Sequence, residues 1–248
     1  MAKSPTEPVA PAVTPSGYFA WSRDPAVGLF AVLPLWVVYE ALRLTLAPAD
    51  RNGAELVLLR ELQRFGERAH WALSLSFLAL LLFAARSLER RQVPWLRVAA
   101  VIALEGTFYA LMLGPIATAL ASSAARVLAI APIDDTLVGN LIGSLGAGIF
   151  EELLFRLGLM SVLAWLGARA IAAWALPRWL AGIFAVVASA LVFSWFHHLC
   201  GEPWDSRRFL FRTMAGLLLG LLMWGRGYGV CVYTHAIYNL WFYLADEH

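Results

Sequence analysis

Two adjacent glutamates stand in the middle of a long apolar segment. Glu151 and Glu152 lie within LIGSLGAGIFEELLFRLGLMSVLAWL, and Arg156 follows Glu151 by five positions. A charge near the centre of a bilayer-length segment costs roughly 3 kcal/mol or more. Ionisable residues in such segments usually mark a functional site, so partners are expected in other apolar segments of the chain.

The spacing of these three residues suits two different tasks. Glu152 and Arg156 are four positions apart, so on a helix they share a face and can form an ion pair. Glu151 lies about 100° around the helix from Glu152 and can point into a cavity. One carboxylate is then held by arginine, while the other is available for proton transfer as a general base.

Two later apolar segments carry the other candidates. Phe193 and His197 are four positions apart, and His198 follows on another face of the same helix. His235 and Asn239 are also four apart, so an imidazole and an amide project together. Together with the carboxylates, these residues are enough for a base, a second water ligand and an oxyanion-type donor pair.

Other polar residues in apolar segments are explained without catalysis. A histidine at the end of a membrane span, such as His198, often lies only at the interface. Glu105, and Glu40 with Arg43 three positions later, suit a helix-to-helix hydrogen bond or ion pair. The residues alone assign no further role to Glu40, Arg43 and Glu105.

The cysteines give little indication of chemistry. The chain has two, Cys200 and Cys231, and neither a CxxC pair nor zinc-finger spacing is present. Both are interpreted as small apolar residues in or near helices. Cys231 precedes His235 by four positions, which leaves a cysteine protease as a minor alternative.

Composition identifies an integral membrane protein. The 248 residues are 60% hydrophobic and 15% charged, and the mean hydropathy is +0.68. Soluble domains have roughly 45–50% apolar and about 25% charged residues. A net charge of +2 gives no reason to expect a nucleic-acid partner. Alanine richness with a single lysine, Lys3, indicates a GC-rich genome and hence a bacterium.

The apolar segments predict an all-α, polytopic membrane protein with about seven transmembrane helices. The expected spans cover about residues 26–46, 69–85, 98–121, 137–166, 180–199, 209–224 and 230–244. Residues 53–68 have leucines on one face and predict an amphipathic interfacial helix. Residues 1–20 are expected to be a disordered tail without a signal peptide, and residues 21–248 a single membrane domain. Arginines divide evenly between alternate loops, so the orientation is not determined.

Three motifs follow one another along the late spans: Glu-Glu-x-x-x-Arg, Phe-x-x-x-His and His-x-x-x-Asn. This ordered set resembles the CPBP family of intramembrane proteases, which are related to the CAAX prenyl endopeptidase and to bacteriocin-processing or immunity proteins. The resemblance covers about residues 137–243, the expected catalytic core. It implies that Glu151 activates the catalytic water and His197 helps to bind it, while His235 and Asn239 stabilise the oxyanion. The supporting residues would be Glu152, Arg156, Phe193 and His198.

The resemblance implies an endopeptidase that cleaves a membrane protein or peptide, near its C-terminus, at or within the lipid bilayer. The layout is also similar to that of bacterial myxosortase-type members, which are proposed to trim C-terminal sorting tails from surface proteins. The expected location is therefore the bacterial inner (cytoplasmic) membrane.

Alternatives of other classes remain open. A transporter or proton relay also uses intramembrane Glu and His, although no internal repeat is present, and a non-enzymatic binding or immunity protein could share the scaffold. Zinc could be bound by Glu151, His197 and His235. Because HExxH is absent and asparagine is a poor zinc ligand, a metal-free, glutamate-dependent mechanism without a cofactor is favoured.

Overall fold

The computed structural model describes residues 17–43, 57–59, 68–122, 137–172, 174, 176–200 and 202–246. Within them the chain is helical, as the sequence predicts. The helices are α1 (Tyr18–Ser22), α2 (Pro25–Ala31), α3 (Leu33–Arg43), α4 (Ala69–Arg90), α5 (Trp95–Ser122), α6 (Leu137–Gly146), the π-helix π1 (Ala147–Met160), α7 (Ser161–Ala172), α8 (Trp179–Leu199), α9 (Ser206–Arg226) and α10 (Tyr228–Asp246).

Fewer helices qualify as membrane spans than the seven expected. Among the described residues, α4, α5, α8 and α9 are long and apolar enough to cross a membrane. Helices α2 and α3, bent by 42° at their junction, form a fifth candidate if they are one span. The segment expected as one span over residues 137–166 is divided among α6, π1 and α7. The number seven is therefore not confirmed.

Helix α10 lies at the centre of the bundle and packs against α2, α5, α6, α9 and π1. The side chains from Val230 to Val232 are completely buried, so they face protein rather than lipid. This position explains why α10 contains tyrosines and a histidine yet lies inside a membrane protein. A helix surrounded by other helices does not need the apolar surface that lipid contact demands.

Close helix contacts depend on glycine. A Cβ atom on Gly148 of π1 would lie 2.6 Å from the Cβ of Ala236 and 2.9 Å from the carbonyl oxygen of Val232, both on α10. Only a residue without a side chain allows the two backbones this approach. Gly148 therefore sets the distance between the helix that carries the glutamates and the helix that carries His235.

The ends of the helices follow local rules. The Asp24 carboxylate accepts hydrogen bonds from the backbone N–H groups of Ala26 and Val27, which caps α2. Asp205 caps α9 in the same way. Gly227, with φ of 89°, ends α9, and a Cβ there would lie 2.3 Å from the Ser22 carbonyl oxygen.

The Glu40 side chain joins α3 to α4. Arg43 donates from Nε to its Oε2 over 2.9 Å, and the Ser74 hydroxyl of α4 donates to its Oε1 over 2.8 Å. This is the ion-pair and helix-to-helix role that the sequence allows for Glu40 and Arg43.

Two predicted segments fall largely outside the described residues. Of the amphipathic helix expected at residues 53–68, only residues 57–59 and 68 are described; residues 57–59 are helical, and Leu59 is buried. Of the tail expected at residues 1–20, residues 1–16 lie outside the described part, while α1 begins at Tyr18.

Candidate active site

Three helices bring Glu151, His197 and His235 together. The Oε1 atom of Glu151 on π1 lies 4.0 Å from Nε2 of His197 on α8, and Oε2 lies 3.9 Å from Nε2 of His235 on α10. The side chains of Glu151 and His235 are 5% and 7% exposed, whereas that of His197 is 21% exposed. The site is thus a buried carboxylate between two imidazoles, and it is most open on the side of His197.

Glu152 is the completely buried centre of a second layer. Its Oε1 atom lies 2.7 Å from Nδ1 of His235 and 3.1 Å from Nη1 of Arg156, and the Cys231 thiol lies 2.9 Å from its Oε2. The pairing with Arg156 follows from the i, i+4 spacing. The contact with His235 joins residues 83 positions apart, and nothing in the local pattern indicates it.

The partners of both imidazoles define their neutral tautomers. Nδ1 of His197 lies 3.0 Å from the carbonyl oxygen of Phe193, and Nδ1 of His235 faces the Glu152 carboxylate. Carbonyl and carboxylate oxygens only accept hydrogen bonds, so the proton of each neutral ring belongs on Nδ1. Each Nε2 then has a lone pair on the side of Glu151, and it becomes a donor only when the ring is protonated.

The Phe193 ring separates the charged groups and contacts both halves of the site. Its centroid lies 4.1 Å from the guanidinium carbon of Arg156, 5.1 Å from the His197 ring and 6.0 Å from the His235 ring. Arg156 is also completely buried, and a cation stacked on a desolvated ring is stabilised by its quadrupole. Phe193 and Arg156 therefore pack directly behind the two histidines.

The remaining two predicted residues lie in different surroundings. Asn239 is half-buried on α10, one turn beyond His235. The His198 ring packs against Trp204, with centroids 4.8 Å apart, and stacks on Phe209. Its two buried ring nitrogens have no hydrogen-bond partner among the described residues.

Side chains from both neighbouring helices hold the backbone of π1, and no motif in the sequence indicates them. The Ser189 hydroxyl of α8 donates to the Phe155 carbonyl over 2.8 Å, and the Tyr228 hydroxyl of α10 donates to the Ile149 carbonyl over 3.2 Å. The only sequence signal was a polar group in an apolar segment. π-helical geometry is rare and often occurs at functional sites, and here it spans both glutamates.

Cys231 lies behind Glu152 and is completely buried. A cysteine nucleophile must be accessible to its substrate and have a thiolate-favouring environment. A buried thiol directed at a carboxylate has neither property, so the position of Cys231 argues against the cysteine-protease alternative.

The possible zinc ligands are more widely spaced than a bound ion requires. Ligand atoms about 2.0–2.1 Å from a tetrahedral zinc lie roughly 3.3 Å from one another, against 4.0 and 3.9 Å here. Among the described side chains, no three from His, Cys, Asp or Glu form a group that could hold a metal ion.

Comparison with known proteins identifies the part of the chain that carries the site. Residues 134–241 match the family model described as type II CAAX prenyl endopeptidase Rce1-like. No curated protein and no solved structure matches the chain. The matched residues include all three motifs. Over these residues the chain is similar to the Rce1-like family, which is consistent with the CPBP resemblance of its motifs.

Proposed function

We propose that this integral membrane protein is a glutamate-dependent endopeptidase that hydrolyses a peptide bond within the bilayer. The observation that supports it best is the position of Glu151, with one carboxylate oxygen facing His197 and the other facing His235. Separations near 4 Å exceed a direct hydrogen bond, and a water molecule can be shared among such groups. The family match supports peptidase chemistry.

The proposed reaction begins with a water bound by Glu151 and His197, whose Nε2 lone pair accepts a hydrogen bond. As the water oxygen attacks the scissile carbonyl carbon, Glu151 takes one water proton and the carbonyl electron pair moves to oxygen. Collapse of the tetrahedral intermediate breaks the C–N bond, and the amine leaves with the proton from Glu151. A base used in this way typically contributes 10²–10⁴-fold to the rate.

The oxyanion is received by His235 and Asn239. The amide of Asn239 can donate directly, whereas His235 donates from Nε2 when its ring is protonated. Glu152, 2.7 Å from Nδ1, holds the ring with Nε2 on the side of Glu151. Removing one donor of this kind usually lowers turnover by about 10²–10³-fold.

The proposed substrate is a membrane protein or membrane-bound peptide cleaved near its C-terminus, such as a sorting tail in a bacterial inner membrane. The test is comparative mass spectrometry of membrane and surface proteins from cells with the wild-type protein, Glu151→Gln or Glu105→Gln. We expect uncleaved proteins to accumulate only with Glu151→Gln. Unchanged termini in that variant would instead favour a binding or immunity protein.

The same proposal assigns no metal to the reaction. We expect purified protein to remain active after dialysis against a zinc chelator and to contain no stoichiometric metal. One equivalent of tightly bound zinc, with activity lost on chelation and restored by zinc, would instead make Glu151, His197 and His235 its ligands.

We further propose that α10 and the segment formed by α6, π1 and α7 also cross the bilayer, which gives seven spans with the bent pair. A 19-residue helix such as α10 is about 28 Å long at 1.5 Å per residue, close to the thickness of the hydrocarbon core. Reporter fusions at the two termini should then report opposite sides of the membrane. Termini on the same side would indicate an even number of spans and contradict the proposed seven.

A further inference from the structure

The buried thiol of Cys231 has a close contact that the proposed mechanism does not use. Its Sγ lies 2.9 Å from Oε2 of Glu152 and 3.2 Å from the carbonyl oxygen of Leu219. A thiol has one proton, and an ionised carboxylate is a stronger acceptor than a neutral carbonyl. The shorter contact and the stronger acceptor both direct the proton to Glu152.

The two oxygens of Glu152 are held by different groups. His235 and Arg156 contact Oε1, and among the described residues the donor to Oε2 is the Cys231 thiol. Cys231 and His235 lie one turn apart on α10, so this helix contacts both oxygen atoms of the Glu152 carboxylate. Rotation of the carboxylate away from Nδ1 of His235 would therefore break the thiol contact as well.

We propose that Cys231 is a positioning residue for His235 and acts through Glu152. By fixing the rotation of the Glu152 carboxylate, the thiol keeps Nδ1 of His235 in its hydrogen bond and Nε2 directed towards Glu151. This inference rests on the proposed peptidase function. It assigns no chemistry to the sulfur, which never contacts the substrate.

The test uses three substitutions of Cys231 in the full-length purified protein, with a substrate identified by mass spectrometry. Cys231→Ser retains a donor of similar size, whereas Cys231→Ala and Cys231→Val remove it, with different effects on packing. We expect kcat to fall roughly 10-fold in the Cys231→Ala and Cys231→Val variants, since a hydrogen bond to a charged group is lost. For Cys231→Ser we expect kcat within about threefold of the wild-type value. KM should change little in all three variants.

The matched control is Ser144→Ala, which also removes one completely buried donor. The Ser144 hydroxyl donates to the Asn140 carbonyl over 2.7 Å within α6. We expect this variant to lose thermal stability while kcat stays unchanged. A loss of kcat equal to that of Cys231→Ala would show a general packing effect and overturn the proposal.

The outcomes separate this inference from the proposed function. If the wild type cleaves the substrate and Glu151→Gln does not, the peptidase function holds. In that case, a wild-type kcat in both Cys231→Ala and Cys231→Val overturns the proposed role of Cys231. If Cys231→Ser is inactive although folded, the sulfur itself is required and the positioning role is wrong. If the wild type and Glu151→Gln are equally inactive, the proposed function fails and this inference fails with it.

Discussion

Two carboxylate clusters within apolar helices differ in their partners. In the first, Glu105 accepts two hydrogen bonds from Arg226, over 2.5 and 2.7 Å, and one from the Tyr18 hydroxyl. In the second, Glu151 faces two imidazoles at 3.9 and 4.0 Å. Arginine and tyrosine are poor proton carriers at neutral pH, whereas histidine changes its charge there. The partners of Glu151 are therefore of a kind that can exchange protons, as the proposed reaction requires, whereas those of Glu105 are suited to a structural ion pair.

The two clusters also act on different parts of α10. Arg226 precedes the turn at Gly227, so the Glu105 cluster holds the junction between α9 and α10 against α5 and α1. The Glu151 site lies further along, where His235 projects from α10. The Glu105 cluster therefore fixes the start of α10, whereas the Glu151 site includes His235, a side chain of α10.

The largest expected difference is in turnover. Glu151→Gln removes the proposed base without changing side-chain size, so kcat should fall by about 10³-fold, within the usual range for a general base. Glu105→Gln, corrected for the amount of folded protein, should keep kcat within about twofold, because that cluster touches no reacting group. Steady-state kinetics of both variants decides between the roles, and equal losses would remove the distinction.

Asn239→Ala should have the next largest effect. Loss of one oxyanion donor predicts a drop in kcat of about 10²–10³-fold, with an unchanged thermal unfolding temperature. The control is Asn140→Ala, which changes a buried asparagine on α6 and should affect stability more than kcat. An active Asn239→Ala variant would show that the oxyanion is stabilised elsewhere.

At the Glu105 cluster, substitutions should lower stability rather than kcat. Removing one partner of this partly buried ion pair leaves a charge uncompensated, so Glu105→Gln or Arg226→Gln should lower the free energy of unfolding by about 2 kcal/mol, below the cost for a completely buried pair. The double substitution Glu105→Leu with Arg226→Met should recover much of that loss, because neither charge is then left without its partner. Denaturant unfolding in detergent measures the cycle, and strictly additive losses would contradict a direct pair.

Two glycines provide a matched test of how closely π1 must approach α10. Gly148→Ala places a methyl group 2.6 Å from the Ala236 Cβ, whereas a Cβ on Gly143 meets nothing within 4 Å. We expect Gly148→Ala to cost about 1–3 kcal/mol and to lower kcat by moving the glutamates away from His235. Gly143→Ala should be neutral or stabilising by about 0.5–1 kcal/mol. Similar unfolding curves for the two variants would contradict the close contact.

The smallest expected effect concerns pH at the loop beside α1. Burial alone raises the pKa of Asp24, but hydrogen bonds from Arg91 and from the backbone of Val27 outweigh it, so the pKa lies below its usual value. A lowered folded-state pKa stabilises the protein above the unfolded pKa of about 3.9, and the effect is lost as pH falls from there through the folded value.

Asp24→Asn should therefore lower stability at pH 7 by about 1 kcal/mol, as for a partly exposed pair. The difference from the wild type in thermal unfolding should shrink as pH falls below about 4, while kcat at pH 7 stays unchanged. A stability difference that is constant with pH would contradict the ion pair with Arg91.

The sequence alone determined what depends on local geometry. Four-residue spacing placed Glu152 beside Arg156 and Asn239 one turn beyond His235, because every helix repeats at nearly that interval. Apolar run lengths determined the membrane class and the all-helical fold. The order of the motifs along the late apolar segments singled out Glu151, His197 and His235 as candidates.

Only the tertiary structure decided which residues meet across helices. The contact of Glu152 with His235 and that of Glu105 with Arg226 join residues 83 and 121 positions apart, and helical periodicity contains no information on such pairs. The number of candidate spans depended on where the helices begin and end, since the apolar run over residues 137–166 is divided among α6, π1 and α7. Periodicity is a property of each helix alone, whereas helix contacts depend on how closely two backbones fit, as at Gly148 and Ala236.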